Sequence, residues 1–445
     1  MAQKIAIIGA GPVGALCGCL LAQRGIEVTI FDKRPDPATN NHYSGRSINL
    51  ALSYRGLQAL KLVELDQKAL DLSTPMAGRM IHHLDSSLDL QPYSSKGLCI
   101  NSIPRKEINR IIVERAQALG VRFFFEHKFL EFNNSTITFE VEEAEKRYTY
   151  DILIGADGLF SGVRKFLEKK GLVSANTTSI SHGYKEMELD MSKATPLNWN
   201  ALHIWPRKDF MFIALPNQNN TFTGTLFLRM EGVNSFEELN GPTVINQFFE
   251  INFPDLIPYV TPVEKTFSAS PTSSLQYIDC LPWHADNTLL IGDSSHGIVP
   301  FYGQGMNAGL EDCLVLIQRL EEHNFNWKDA FREFSLMRKK DADAISQLAL
   351  NNFIEMRDGV IDQEYLKLKQ LEKEIQATSP DWTPLYDLVS FSDIPYSDAL
   401  KIGAMQKEYL KENLHVPVEK LDLDYHFQAL KRQGLYPLKG KLQSL

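Results

Sequence analysis

The stretch KIAIIGAGPVGALCGCLLAQRGIEVTIFDKR, residues 4–34, decides how the chain is read. Ile5 to Ile8 is a short apolar run of the kind that forms a buried parallel strand. Gly9, Gly11 and Gly14 follow as G-x-G-x-x-G. The first glycine permits the turn, the second lets a pyrophosphate approach the backbone, and the third lets a helix pack on the strand. A helix beginning there offers free N–H groups and a partial positive charge to that pyrophosphate. Val28 to Phe31 supplies a second strand, and Asp32 closes it 18 residues after Gly14, where a carboxylate can accept ribose hydroxyls. The glycine pattern alone also occurs in unrelated α/β turns. Strand, helix, strand and acid together predict a dinucleotide site.

Outward from this unit, 445 residues allow two or three packed units with a core between them. A net charge of −9 without a basic block argues against nucleic acid as a partner. The chain begins almost at once with a strand and contains no apolar run of about 18 residues, so neither a signal peptide nor a spanning helix is expected. Cys17, Cys19, Cys99, Cys280 and Cys313 are scattered, odd in number and lack C-x-x-C spacing. They predict reduced thiols in a cytoplasmic protein and no metal site.

Residues 35–45, PDPATNNHYSG, read as an exposed loop. MAGRMIHHLDSSLDLQPY, residues 76–93, reads as two short strands joined at Asp85-Ser86-Ser87, a ribbon across which Arg79 and Tyr93 could meet; surface packing is the plainer alternative. Pro104 and Gly120 bracket a helix. Arg105 in its first turn opposes the dipole, so it is either incidental or reaching for an anion. Ile152 to Ile154 is another buried strand, ending in Gly155-Ala156-Asp157-Gly158, with Ser161 and Arg164 opening the next helix. Between about 170 and 280 short β runs replace helical periodicity and predict an antiparallel unit with a large apolar face. Leu289 to Ile291 then ends in Gly292-Asp293, and Pro300, Gly303 and Gly305 lead into a long apolar helix. Asp293 can accept from polyol hydroxyls, while Gly303, Gly305 and Met306 can turn backbone N–H groups to an anion or carbonyl. His296 is a candidate acid–base group, although a lone histidine at a strand end is more often structural. Beyond Asn326 the pattern is helical; Asn352 and Met356 share a face, for which core packing is the plain explanation. From Asn413 the tail reads as a surface helix or frayed end.

G-A-G-P-V-G with Asp32, Asp157-Gly158 and Gly292-Asp293 together resemble the class A flavoprotein monooxygenases, the flavin-dependent aromatic hydroxylases. GRSINLALS, GRMIH, LQPY, HGYKE, LHIWPR, FIALPN, GQGMNAG and NNFIEMR narrow the resemblance to the kynurenine 3-monooxygenase branch, from Lys4 to about Tyr396. The resemblance implies an α/β fold. A discontinuous Rossmann-like FAD-binding domain would occupy 1–75, 100–170 and 280–330. An antiparallel-sheet substrate domain would occupy 76–99 and 171–279, with a C-terminal helical region over 331–445. It implies FAD as cofactor, lined by Gly9, Gly11, Val13, Gly14, Asp32, Arg34, Ala51, Arg105, Phe129, Asp157, Gly162, Asp293, Gly303, Gly305, Met306 and Asn307. It implies that Arg79 and Tyr93, completed by Asn352 and Tyr396, hold the amino-acid head of L-kynurenine. Leu202, Met211, Ile213, Leu215, Phe227 and Phe301 would wall its ring.

The same resemblance implies NADPH and O2 as co-substrates and 3-hydroxy-L-kynurenine as product. No protein acid or base is required, because the substrate's own aniline nitrogen activates the ring carbon beside it. The cofactor supplies the chemistry and the protein supplies position. Two residues depart from the family pattern: Asp32 stands where Glu is common, and Tyr302 where Phe or His is common, beside the expected flavin and substrate rings. The chain ends in KGKLQSL without an apolar span, resembling the bacterial form rather than the membrane-anchored eukaryotic one. A homodimer is allowed but not required by anything in the chain. Three alternatives remain at this point. They are a sister hydroxylase of another aromatic amino acid or anthranilate-like substrate, a non-catalytic FAD redox-sensing module, and an NAD-dependent dehydrogenase that would leave Gly292-Asp293 without a role.

Overall fold

A computed structural model describes residues 3–36, 49–133, 135–193, 197–218, 221–357, 363–438 and 440–442; most of the expected 35–45 loop lies outside them. The chain divides into two units, one of residues 1–72, 103–178 and 276–343, the other of 73–102, 179–275 and 344–445.

In the first unit, strand Lys4–Ile8 lies between parallel partners on both sides, Glu27–Phe31 and Ile152–Gly155. That placement explains its unbroken apolar run, since both faces are covered. The sheet extends to Arg122–Phe124 at one end and to Thr288–Leu290 and His284–Ala285 at the other. Helix Pro12–Ala22 starts at Gly11 with proline at its first position and packs against helices Arg105–Ala118 and Gly305–Glu322. Its face is lined by Gly14, Ala15, Gly18 and Cys17, all buried, and small side chains are what allow so close an approach. An antiparallel ribbon of Lys128–Asn133, Thr136–Val141 and Ala144–Thr149 completes the unit.

In the second unit the strands run in the order Ser174–Asp190, Thr221–Arg229, Phe210–Pro216, Ala201–Arg207, Gly78–His82, Leu88–Pro92. One face, carrying Trp205, Phe212, Ala214, Phe222 and Leu226, is sealed by Phe248, Phe249 and Phe253 around helix Pro242–Asn252. Within this layer Asp255 accepts from Trp205 Nε1 at 2.8 Å and pairs with His82 Nδ1 at 2.9 Å, and His82 Nε2 meets His203 Nδ1 at 2.8 Å. Residues 344–445 fold with this unit. Of the two readings of the tail, the helix is the one found: Leu423–Arg432 buries His426 and Leu430. Among the described residues no helix is long and apolar enough to cross a membrane.

The glycines of the opening turn differ in what they tolerate. A Cβ on Gly14 would stand 2.0 Å from the Gly9 carbonyl oxygen, whereas one on Gly11 would meet nothing within 4 Å. Gly14→Ala should therefore destabilise the protein by about 3 kcal/mol or more, while Gly11→Ala stays within about 1 kcal/mol of the parent. Urea denaturation monitored by circular dichroism measures both; equal losses would contradict this packing.

Candidate active site

The first unit gathers three strand ends. Gly9 has φ +112°, and a Cβ there would lie 2.3 Å from the Ala156 carbonyl oxygen, so the 8–11 turn and the 155–158 turn touch through backbone alone. The Asp157 carboxylate caps helix Gly162–Lys169, accepting from Ser161 Oγ at 2.5 Å and from the Gly162 and Val163 amides at 2.6 and 3.2 Å. It also accepts from Ser294 Oγ at 3.1 Å, which in turn takes the Gly158 amide at 2.9 Å. Arg164 ties the same two turns by donating to the Ser294 and Leu159 carbonyls. Asp157 therefore works through the backbone it organises. Asp293, one residue from this knot, is exposed at the strand end, in position to accept hydroxyls.

Asp32 is buried, and both its oxygens already hold two donors. Oδ2 takes the Ala10 amide at 2.8 Å and Arg34 Nη2 at 2.7 Å; Oδ1 takes the Arg34 amide and Nε. Burial opposes ionisation, but these bonds and the Arg34 charge outweigh it and hold the carboxyl below its usual range. A ribose can reach Asp32 only if the half-exposed Arg34 side chain gives way. Asn307 also differs from its expected role as a lining residue. It is wholly buried, with Nδ2 donating to the Ala51 and Gly303 carbonyls and Oδ1 accepting from the Ser53 amide, so it positions the Ala51 and Gly303 segments. Phe129 packs near Gly162 and edge-on to Phe166, and Val13 packs on Gly292. Gly303, Gly305 and Met306 are half-buried at the start of the 18-residue helix Gly305–Glu322, and Arg105 is exposed. Phe301 and Tyr302 are buried in the single turn Pro300–Tyr302 of this unit.

His296 is structural. Its Nε2 lies 2.5 Å from Asp312 Oδ2, which also accepts the Gly292 amide, and its ring lies tilted against Trp283 at 5.0 Å. Asp312 Oδ1 accepts from Arg338 Nε at 2.8 Å; Arg338 Nη1 reaches Glu311 at 2.9 Å, and Glu311 takes Arg55 at 2.6 Å. Burial alone would raise both carboxyls, yet His296 and Arg338 around Asp312, and Arg55 and Arg338 around Glu311, hold them below their usual range. This network fixes the Gly292 turn to the long helix.

In the second unit, strand register decides which side chains share a face. Arg79 lies opposite Leu202, Ile204 opposite Ile213, Met211 opposite Phe227, and Ile213 opposite Thr225. Two-residue alternation adds Leu215, so Arg79 and the five apolar residues expected from these strands occupy the face away from the Pro242–Asn252 layer. Thr223, Thr225 and Glu186 share it. The Arg79 guanidinium lies 5.6 Å from the Tyr93 ring centre and 5.0 Å from that of Tyr386, and those rings stack at 5.1 Å and 6°. Burial disfavours the charge on Arg79, but Tyr386, Tyr93 and Glu355 outweigh it and keep the guanidinium protonated. Burial first, and then Tyr386, push the Tyr93 hydroxyl well up, leaving a neutral donor. Tyr365 donates to Glu355 from the next helix.

The second ring beside Arg79 and Tyr93 is that of Tyr386. Tyr396 has no accessible surface at the first position of helix Tyr396–Glu412, so as placed it lines no space that a ligand could enter. Asn352 is buried, with Nδ2 donating to Met356 Sδ at 3.3 Å. Tyr386, Glu355 and Tyr365 went unread in the sequence; the only signal for Tyr386 was its place in a short helix beginning after Pro384.

The profile of a family described as an FAD binding domain matches residues 2–328. The kynurenine 3-monooxygenase of Cytophaga hutchinsonii is 43% identical over 94% of this chain and 95% of its own length, and that of Flavobacterium psychrophilum 38% identical over 99% of each. The chain belongs to the kynurenine 3-monooxygenase family of FAD-binding monooxygenases. A solved structure of 2-methyl-3-hydroxypyridine-5-carboxylic acid oxygenase matches with TM-score 0.67 at 19% identity, over 82% of this chain and 95% of its own, which establishes the shared fold. A tetracycline destructase matches with TM-score 0.62 at 15% identity, over 80% of this chain and 89% of its own.

The residues fit the family's cofactor. The space over Gly11 is open beside the first turn of Pro12–Ala22, and the exposed Asp293 and half-buried Gly303, Gly305 and Met306 could offer partners to a polyol and a carbonyl. Gly11→Val should fold with a near-parental Tm yet purify colourless, because the branched side chain takes the pyrophosphate's place. A yellow variant with the parental FAD content would contradict the site. Arg338→Met should cost about 3–5 kcal/mol, because it leaves Glu311 and Asp312 buried with too little positive charge. Since both carboxyls titrate below their usual range, the stability they contribute is present above about pH 4 and lost as pH falls through their depressed values. The variant's Tm should consequently change less than the parent's on acidification, which calorimetry at several pH values would measure.

Proposed function

We propose that the protein hydroxylates L-kynurenine to 3-hydroxy-L-kynurenine with NADPH and O2. The observation that supports this reading best is the Arg79–Tyr93–Tyr386 group at the margin of one apolar sheet face, in a chain 43% identical to a kynurenine 3-monooxygenase. A zwitterionic head needs a cation for its carboxylate and an anion for its ammonium, and Arg79 and Glu355 offer that pair with neutral phenols beside them. Leu202, Met211, Ile213, Leu215 and Phe227 offer the aromatic ring an apolar bed, and Thr223 and Thr225 add hydroxyls within it. In the first unit Gly11, Asp293 and Met306 would hold FAD, and Asp32 would take the ribose with Arg34 displaced.

Bound FAD supplies the redox chemistry, accepting electrons from NADPH and activating O2. The chain's own residues then bind and orient. Arg79 fixes the carboxylate and Tyr93 donates to it, so the ring is held at one angle; positioning of this kind supplies a large share of a rate enhancement. No side chain in either group needs to act as acid or base on the ring carbon, because the amine on the ring activates it. A cytoplasmic setting goes with NADPH as reductant and with five cysteines free of disulfides.

Anaerobic stopped-flow reduction of the FAD-loaded protein by NADPH should accelerate strongly when L-kynurenine is added. Reduction indifferent to kynurenine would refute the substrate assignment and leave the fold untouched. Arg79→Ala should raise KM for kynurenine by about 100-fold, the loss of a charge-assisted bidentate contact, while FAD stays bound. An unchanged KM would remove Arg79 from the site.

A further inference from the structure

Beneath the stacked ring pair lies a polar contact that the reading above does not use. Ser94, next to Tyr93, donates from Oγ to Asp387 Oδ2 at 2.9 Å, and Asp387 is next to Tyr386. Both residues are buried. The Ser94 oxygen also accepts the Lys96 amide at 3.3 Å, which leaves its one proton aimed at Asp387. The second carboxylate oxygen, Oδ1, is buried without a hydrogen-bond partner among the described residues. A buried carboxylate with one partner is expensive, and an apolar side chain would fill the place more cheaply.

We propose that Asp387 is a positioning residue for the substrate's head group: its bond from Ser94 clasps the Tyr93 segment to the Tyr386 helix and fixes the ring pair on which Arg79 rests. The two tyrosines are nearly 300 positions apart in the chain, and each is tethered by its immediate neighbour to the other's neighbour. Loosening the clasp lets the rings slide, and Arg79 loses its seat.

The clasp responds to pH. Burial pushes the Asp387 carboxyl up to about 6, against the Ser94 bond and Lys96, which lower it; Glu372 raises it further. The groups acting on it are Ser94 and Lys96 from the segment after strand Leu88–Pro92 and Glu372 from helix Gln363–Thr378. Above pH 6 the Ser94 bond is charge-assisted and stronger; below it the bond is between neutral groups. Stability runs the other way. A carboxyl raised from its ordinary 3.8 contributes stability that is complete below that value and lost as pH rises through about 6. Between pH 5 and 7, head-group affinity therefore rises while the Asp387 contribution to Tm falls.

The affinity half of this proposal rests on kynurenine being the ligand; the ring half does not, and the test separates them. Full-length FAD-loaded protein carrying 3-fluorotyrosine is titrated from pH 5 to 7, with Y93F and Y386F assigning the two ring signals. Without ligand, both signals should move with a midpoint near 6 in the parent and stay fixed in D387N. Kd for L-kynurenine, read from the flavin spectrum, should tighten roughly fivefold over the same range in the parent, the difference between a neutral and a charge-assisted bond. D387N, whose amide oxygen still accepts from Ser94, should hold the parent's pH 5 affinity at every pH. D387A and S94A should bind more weakly still, with FAD content unchanged. Ring signals that do not titrate, or a D387N profile that follows the parent's, would overturn the clasp. Titrating rings in a protein that ignores kynurenine would keep the clasp and overturn the substrate.

Discussion

No carbon atom fits between Gly14 and the carbonyl of Gly9, nor between Gly9 and the carbonyl of Ala156. Everything in the first unit depends on those two approaches. They let helix Pro12–Ala22 start directly off strand Lys4–Ile8, and they bring the Asp157 turn against the glycine turn. With the two turns in backbone contact, Asp157, Ser294 and Arg164 can lace the third strand end to the second. Gly11 differs because the space beside it is left for a ligand. One glycine-rich turn thus contains positions required by the fold and a position required by the cofactor.

The buried ions extend that constraint outward. Arg338, Arg55, Glu311, Asp312 and His296 form a buried set, joined at its edge by Asp341 3.5 Å from Arg338, in which each guanidinium meets at least one carboxylate. Such a set contributes little net stability compared with apolar packing, but it specifies one arrangement, because any slip leaves a charge unpaired. Its outermost bond is the Gly292 amide on Asp312, so the turn bearing Asp293 inherits that precision.

The sequence was most legible where a constraint is local. Glycine spacing, apolar runs and the Asp-Gly and Gly-Asp strand ends are read along a few residues, and the first unit's core sheet follows from them. The apolar face of the second unit was legible in the short β runs between about 170 and 280. Tyr386 was not legible, because what selects it is a stacked partner and a guanidinium supplied from positions 93 and 79. Tyr396, ten residues on, looks equivalent in a linear text and differs only in having no surface. Asp32 was read as a ligand contact from its place at the strand end and Asn307 from the family resemblance; what they bond in the structure depends on the Arg34 side chain and on the Ala51 and Gly303 carbonyls. The tail after Asn413 left a surface helix and a frayed end both open because its apolar residues are sparse; His426 and Leu430, buried on helix Leu423–Arg432, decide for the helix.

The account's central claim is that two separately folded groups, a flavin cradle and an amino-acid seat, serve one hydroxylation. The most direct measurement is product analysis in air under 18O2, following NADPH consumption with L-kynurenine present. The account predicts 3-hydroxykynurenine carrying labelled oxygen and accumulating in step with NADPH loss. NADPH loss that yields only hydrogen peroxide, with kynurenine recovered unchanged, would contradict it.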